Sequence, residues 1–245
     1  MKKIPLAKIL IILLGIWLVF STAIVLFIAV TVMRPNSRAV ILMGTGLILL
    51  WVVLGGTLMW VFRNPLRGIV LGMRGDWRVK FVLFATLLAL LEEAVTVSMT
   101  NLAPMFGVPV GAAYITASAN YLDVVARHSV VVFIPMFFAW AIILGRWNFS
   151  PAQVFLLFGL TGTLAEVSFG GVGQFAQIAM WTFVYGLMVF LPVYCIPSER
   201  SARPVRWWHF PSAVVLPIVF SIPVAVVVGT LHPIPIHFPP ITPNS

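Results

Sequence analysis

The sequence predicts an all-α, polytopic membrane protein of about seven transmembrane helices. Three observations carry that expectation: 61% of its 245 residues are hydrophobic, only 9% are charged, and the basic residues fall in short segments between long apolar runs. Soluble domains are about 45–50% apolar and about 25% charged. A chain with a mean hydropathy of +1.09 would expose far too much hydrocarbon if water were its solvent.

A helix needs roughly 20 apolar residues to cross about 30 Å of hydrocarbon with every backbone amide satisfied. Six runs meet this directly: 9–32, 39–62, 81–100, 152–169, 175–195 and 212–230. A seventh, 128–144, is short but ends in Arg146 and Trp147, which can reach or anchor at an interface. The first run exceeds the usual 7–15-residue core of a secretory signal and ends at Met33-Arg34-Pro35 without a small-residue cleavage site, so it reads as an uncleaved helix.

The stretch 103–122 is different. Pro104, Gly107, Pro109 and Gly111 break its first half, and Thr116, Ser118, Asn120 and Asp123 make its second half and its end polar. It reads as a re-entrant or surface hairpin, tolerated at membrane depth only where protein covers it or water fills the space beside it. Charge counting agrees. If the hairpin does not cross, one side holds Lys2, Lys3, Lys8, Arg63, Arg67, Arg74, Arg78, Lys80, Arg146, Arg200, Arg203 and Arg206, against Arg34, Arg38 and Arg127 on the other. If it crosses, that split of twelve to three weakens to nine to six. The positive-inside rule therefore favours seven spans in a prokaryotic-type plasma membrane, with a cytoplasmic N-terminus and an external C-terminus. Trp60, Trp77, Trp147, Trp207 and Trp208 then lie at cytoplasmic helix ends.

The whole chain, 1–245, reads as one transmembrane domain with an extended, proline-rich tail over 231–245. A formal charge of +9 does not signal nucleic-acid binding here, because the Lys and Arg residues lie between helices and not along one face. The lipid bilayer is the expected partner. The single cysteine, Cys195, excludes an internal disulfide and any cysteine-based zinc cluster. Its position at the cytoplasmic end of the sixth run suggests it as a reporter of orientation.

Of only six acidic residues, Glu92, Glu93 and Glu166 fall inside expected spans. A carboxylate near the bilayer centre costs several kcal/mol, so it is a functional candidate by default. Thr96 follows Glu92 by four residues and Thr100 follows Glu93 by seven, which draws a polar stripe toward Asn101. Gly159, Gly162 and Glu166 share a helical face on which a neighbour can approach closely. His128 opens the 128–144 run close to Asp123 and Arg127, and His232 and His237 follow the 212–230 run on the same side.

Weaker signals have ordinary readings. Gly170-Gly171-Val172-Gly173 is expected to be a tight turn and not a phosphate loop. Pro217 and Pro223 are expected to kink or unwind the seventh helix. The Glu92-Glu93 pair resembles that of the intramembrane CAAX-type prenyl proteases, but Val97 stands where their pattern has arginine and Val124 where it has phenylalanine. The resemblance ends at the pair.

The expectation is a transport or ion-coupling protein in which Glu92, Glu93, Thr96, Asn101, Asp123, His128 and Glu166 line a cavity in the outer half of the membrane. Its carboxylates would accept a proton or cation, His128 would titrate near neutrality, and the hairpin would act as a gate. One alternative is a metal-dependent hydrolase of a lipid or peptide, with Glu92, Glu93, His128 and Glu166 holding a divalent cation and Glu93 or Glu166 acting as general base. Another is a homo-oligomeric or assembly subunit whose acids pair with partner helices. The plainest reading is structural, with the acids bonded to Arg127, Thr or Ser.

Overall fold

A computed structural model describes residues 5–233 together with Phe238. Among these residues there is no strand, and the chain is built from helices α1 (Leu6–Val32), α2 (Pro35–Leu47), α3 (Gly56–Gly72), α4 (Trp77–Asn101), α5 (Tyr121–Arg127), α6 (Val130–Arg146), α7 (Pro151–Gly170), α8 (Ile178–Tyr194) and α9 (His209–Leu231). A π-helical segment, Ile48–Gly55, joins α2 to α3 in one continuous 38-residue helix. Six helices among the described residues are long and apolar enough to cross a membrane, and the bent pair α5–α6 supplies a seventh. His237 and most of the 231–245 tail lie outside the described residues.

Every expected run coincides with one of these helices, with three differences. First, the second helix continues about ten residues past Phe62 through Pro65; at about 1.5 Å per residue it reaches roughly 57 Å, well beyond a hydrocarbon core. The polar extension escapes a search for apolar runs. Second, His128 does not begin α6 but sits in a break where α5 and α6 meet at 45°. Third, α9 passes through Pro217 and Pro223 without unwinding. Beside Pro217, the Val214 carbonyl accepts from Thr161 Oγ1 of α7 at 3.4 Å, a bond that ties α9 to α7.

Close approach of α7 and α8 follows from glycine. A Cβ on Gly159 would lie 2.7 Å from Thr182 Cα, and one on Gly186 would lie 2.7 Å from the Phe155 ring. Helices without side chains at the contact can bring their backbones together, which drives association where lipid removes the hydrophobic incentive. The start of α7 is set by a reciprocal cap between Ser150 and Gln153. Asp76 starts α4 by accepting from the Arg78 amide at 2.6 Å.

The loops at one end of the bundle are knitted together by basic residues. Arg200 donates to the Leu144 carbonyl at 2.9 Å, the Pro197 carbonyl at 3.1 Å and Asn148 Oδ1 at 2.8 Å. Burial lowers its proton affinity below that of an ordinary guanidinium. The Arg203 amide donates to the Arg146 carbonyl, and Lys80 Nζ closes the end of α3 by donating to the Val70 and Met73 carbonyls. Arg78 lies against Gly145, and Tyr194 donates to Asn64 at 2.6 Å.

The expected hairpin occupies the opposite end. It forms no long helix, only a 3-10 turn at Ala103–Phe106 and a tight turn closed by a Val110–Ala113 bridge. Ala103, Val108 and Ala113 bury against Ala39 and Met43 of α2 and Met99 of α4, so protein covers this segment. Gly171, at φ +79°, turns the chain from α7 into a 3-10 turn at Val172–Gln177, as the glycine cluster predicts.

Candidate functional site

Glu92 and Glu93 lie on α4 just past its midpoint and are 5% and 7% exposed. Glu166 lies one turn from the end of α7 and is partly buried. Both Glu92 and Glu93 are within electrostatic reach of Glu166, so the two helices bring all three carboxyl groups to one region.

Tyr185, near the middle of α8, ties this region together. Its hydroxyl donates to Glu166 Oε1, and the ring lies within electrostatic reach of Glu92 and Glu93. Gly162 makes the placement possible, since a Cβ there would stand 2.1 Å from Tyr185 Cδ2. Phe133 of α6 meets the ring edge-on at 5.6 Å between centroids, and Trp181 flanks it at 6.1 Å.

Each glutamate has a local hydroxyl. Thr96 Oγ1 donates to Glu92 Oε1 at 2.8 Å and also touches the Glu92 carbonyl at 3.1 Å. The Ser129 hydroxyl lies beside the Glu93 carboxyl, and among the described residues Glu93 Oε2 is buried with no hydrogen-bond partner. Among the described residues no Lys or Arg is paired with any of the three. The ion pairs among the described residues are Arg78–Asp76 at 3.3 Å and Arg127–Asp123 at 3.0 Å. Arg127 is therefore not the counter-charge that the structural reading offered the glutamates.

The remaining expected residues divide. Asn101 is exposed and closes the 103–120 loop by donating to the Ala119 carbonyl at 3.0 Å. Asp123 pairs with Arg127 along α5. His128 sits at the α5–α6 break next to Ser129, one residue from the group that reaches Glu93. The core of the site is thus Glu92, Glu93, Thr96 and Glu166, enclosed by packed side chains. Tyr185 and Ser129 complete it, and sequence reasoning missed both. The one available signal was Tyr185 itself, a hydroxyl in the apolar run of α8.

Gln174 Oε1 accepts from Trp181 Nε1 at 3.2 Å and Gln177 Nε2 at 3.1 Å, which fixes the indole that flanks Tyr185. Among the described residues no three His, Cys, Asp or Glu side chains form a group able to hold a metal ion. The set Glu92, Glu93, His128 and Glu166 offers no ready ligand cage for a divalent cation.

No family model, curated protein or solved structure matches this chain.

Proposed function

We propose that the chain is a transport or ion-coupling protein whose working groups are Glu92, Glu93 and Glu166, and that these exchange a proton or a monovalent cation. One observation carries the reading: three carboxyl groups from two helices, two of them buried and the third partly buried, share one region, and among the described residues no Lys or Arg is paired to them. Such a cluster is too costly in hydrocarbon unless a proton or bound cation offsets its charge. Thr96, Ser129 and Tyr185 supply hydroxyls that can pass a hydrogen bond when the charge changes.

The topology proposed with it is seven spans in a plasma membrane, N-terminus inside and C-terminus outside. Among the described residues, Arg67, Arg78, Lys80, Arg146, Arg200 and Arg203 gather in the contacts of one end, the arrangement expected of a cytoplasmic face. The carboxylates then sit in the outer half, with the 103–120 segment as a cover. An assembly subunit is the second reading. It is favoured by α1, whose buried side chains are only Leu18 and Ala29.

The test is proton or sodium flux in proteoliposomes containing the full chain. Wild-type flux should exceed that of the triple variant Glu92→Gln, Glu93→Gln, Glu166→Gln at least tenfold, and equal flux would end the transport reading.

A further inference from the structure

A second site lies far from the carboxylates, at the basic end, in a groove of about 380 Å³ between α6 and α9. That volume is within the range of small-molecule sites, about 300–1,000 Å³. Its walls are apolar, with Ile143, Pro211, Ala213, Val215, Leu216 and Val219 among them. Val215 and Val219 are 55% and 49% exposed, so the groove opens sideways toward the surface that lipid would cover.

The polar end of the groove is built differently from its walls. Trp147 and His209 stack there at 4.6 Å between ring centroids. The Arg206 amide donates to His209 Nδ1 at 2.8 Å, which leaves Nε2 as the N–H donor of the imidazole. Backbone bonds from Asn148 to Arg203 and from Arg203 to Arg146 hold the two loops together beside it. Arg146, Arg203 and Arg206 are all exposed, and none of them forms an ion pair among the described residues. Arg206 is further placed over the Trp208 ring at 5.1 Å.

We infer that this groove binds one anionic phospholipid, with an acyl chain along Val215, Leu216 and Val219 and the phosphate headgroup among Arg203, Arg206 and His209. Charge selects the occupant. Arg203 and Arg206, exposed, without an ion pair among the described residues and with backbones held beside Asn148 and His209, suit a molecule with one phosphate and a hydrocarbon tail, and guanidinium binds phosphate through paired N–H donors. A flanking tryptophan suits the boundary between headgroup and hydrocarbon. The inference rests on the membrane location and not on the carboxylate reading, which either outcome leaves untouched.

The test is native mass spectrometry of the full chain in detergent, with phosphatidylglycerol or phosphatidylcholine added at equal concentration. Wild type should retain phosphatidylglycerol at least fivefold better than phosphatidylcholine. Val215→Trp, which fills an exposed part of the groove, should lower that retention at least fivefold. The double variant Arg203→Gln, Arg206→Gln should reduce phosphatidylglycerol to the phosphatidylcholine level, and Leu83→Trp, on an exposed face of α4, should change nothing. The site does not exist if wild type shows no headgroup preference, if Val215→Trp binds as wild type does, or if Leu83→Trp loses as much. A second copy of the chain retained in place of lipid would mark a dimer contact and overturn it equally.

Discussion

Tyr185 reaches Glu166 because Gly162 has no side chain: the ring of one helix lies in the gap left on the next, and its hydroxyl meets the carboxyl one turn further on. This relationship sets both the spacing of α7 and α8 and the position of the acid, so packing and site are tested by one substitution.

Gly162→Ala should displace the Tyr185 ring, because the added carbon would stand 2.1 Å from Cδ2. Overpacking of this kind costs about 1–3 kcal/mol. Gly68→Ala, in α3 with nothing near the added carbon, should be neutral or stabilising by up to about 1 kcal/mol from helix propensity. Thermal unfolding in detergent compares the two directly.

Single Glu92→Gln, Glu93→Gln and Glu166→Gln variants should fold with stability within about 1 kcal/mol of wild type, or above it. Nothing cationic among the described residues is stranded by removing these charges. A loss of about 3 kcal/mol or more in unfolding measurements would mean that each acid belongs to a structural ion pair instead.

Cys195 is only 1% exposed, which corrects its expected use as a reporter of orientation. An impermeant maleimide should fail to label it from either side until the protein is unfolded. In a Cys195→Ala background, Met105→Cys and Met73→Cys occupy exposed positions at opposite ends of the bundle. In intact cells, external reagent should modify the first and spare the second. The reverse pattern would invert the proposed topology.

Arg200→Lys should be nearly as damaging as Arg200→Ala. A fork of guanidinium donors meets three acceptors, one in the last turn of α6 and two on the loops that follow α6 and α8, and one ammonium group cannot reproduce that geometry. Hydrogen bonds to charged groups contribute about 1.5–3 kcal/mol each, so a fall of several degrees in the unfolding temperature is expected.

The six long apolar helices and the bent pair α5–α6 were legible because a helix able to span a membrane must satisfy its own amides within one continuous run, and 20 apolar residues are hard to disguise. The continuation of α3 through Arg63 and Pro65 was not, because a helix leaving the apolar region carries no composition signal. Glu92, Glu93 and Glu166 stood out by the cost of burying them. Their relation to Tyr185 did not, since α4, α7 and α8 meet through contacts far apart in the sequence. Asn101 and Asp123 entered the expected site by proximity along the chain; in the fold Asn101 donates to the Ala119 carbonyl and Asp123 pairs with Arg127.

The central claim is that the carboxyl groups of Glu92, Glu93 and Glu166 change their proton or cation occupancy in the folded protein. Infrared difference spectroscopy on membranes containing the full chain, stepped in pH and then in sodium concentration, reads this directly through the carboxyl C=O band. The account predicts a band that responds to at least one of these steps and shrinks in each single Gln variant. A band that stays silent under both steps, or a response that survives in the triple variant, would contradict it.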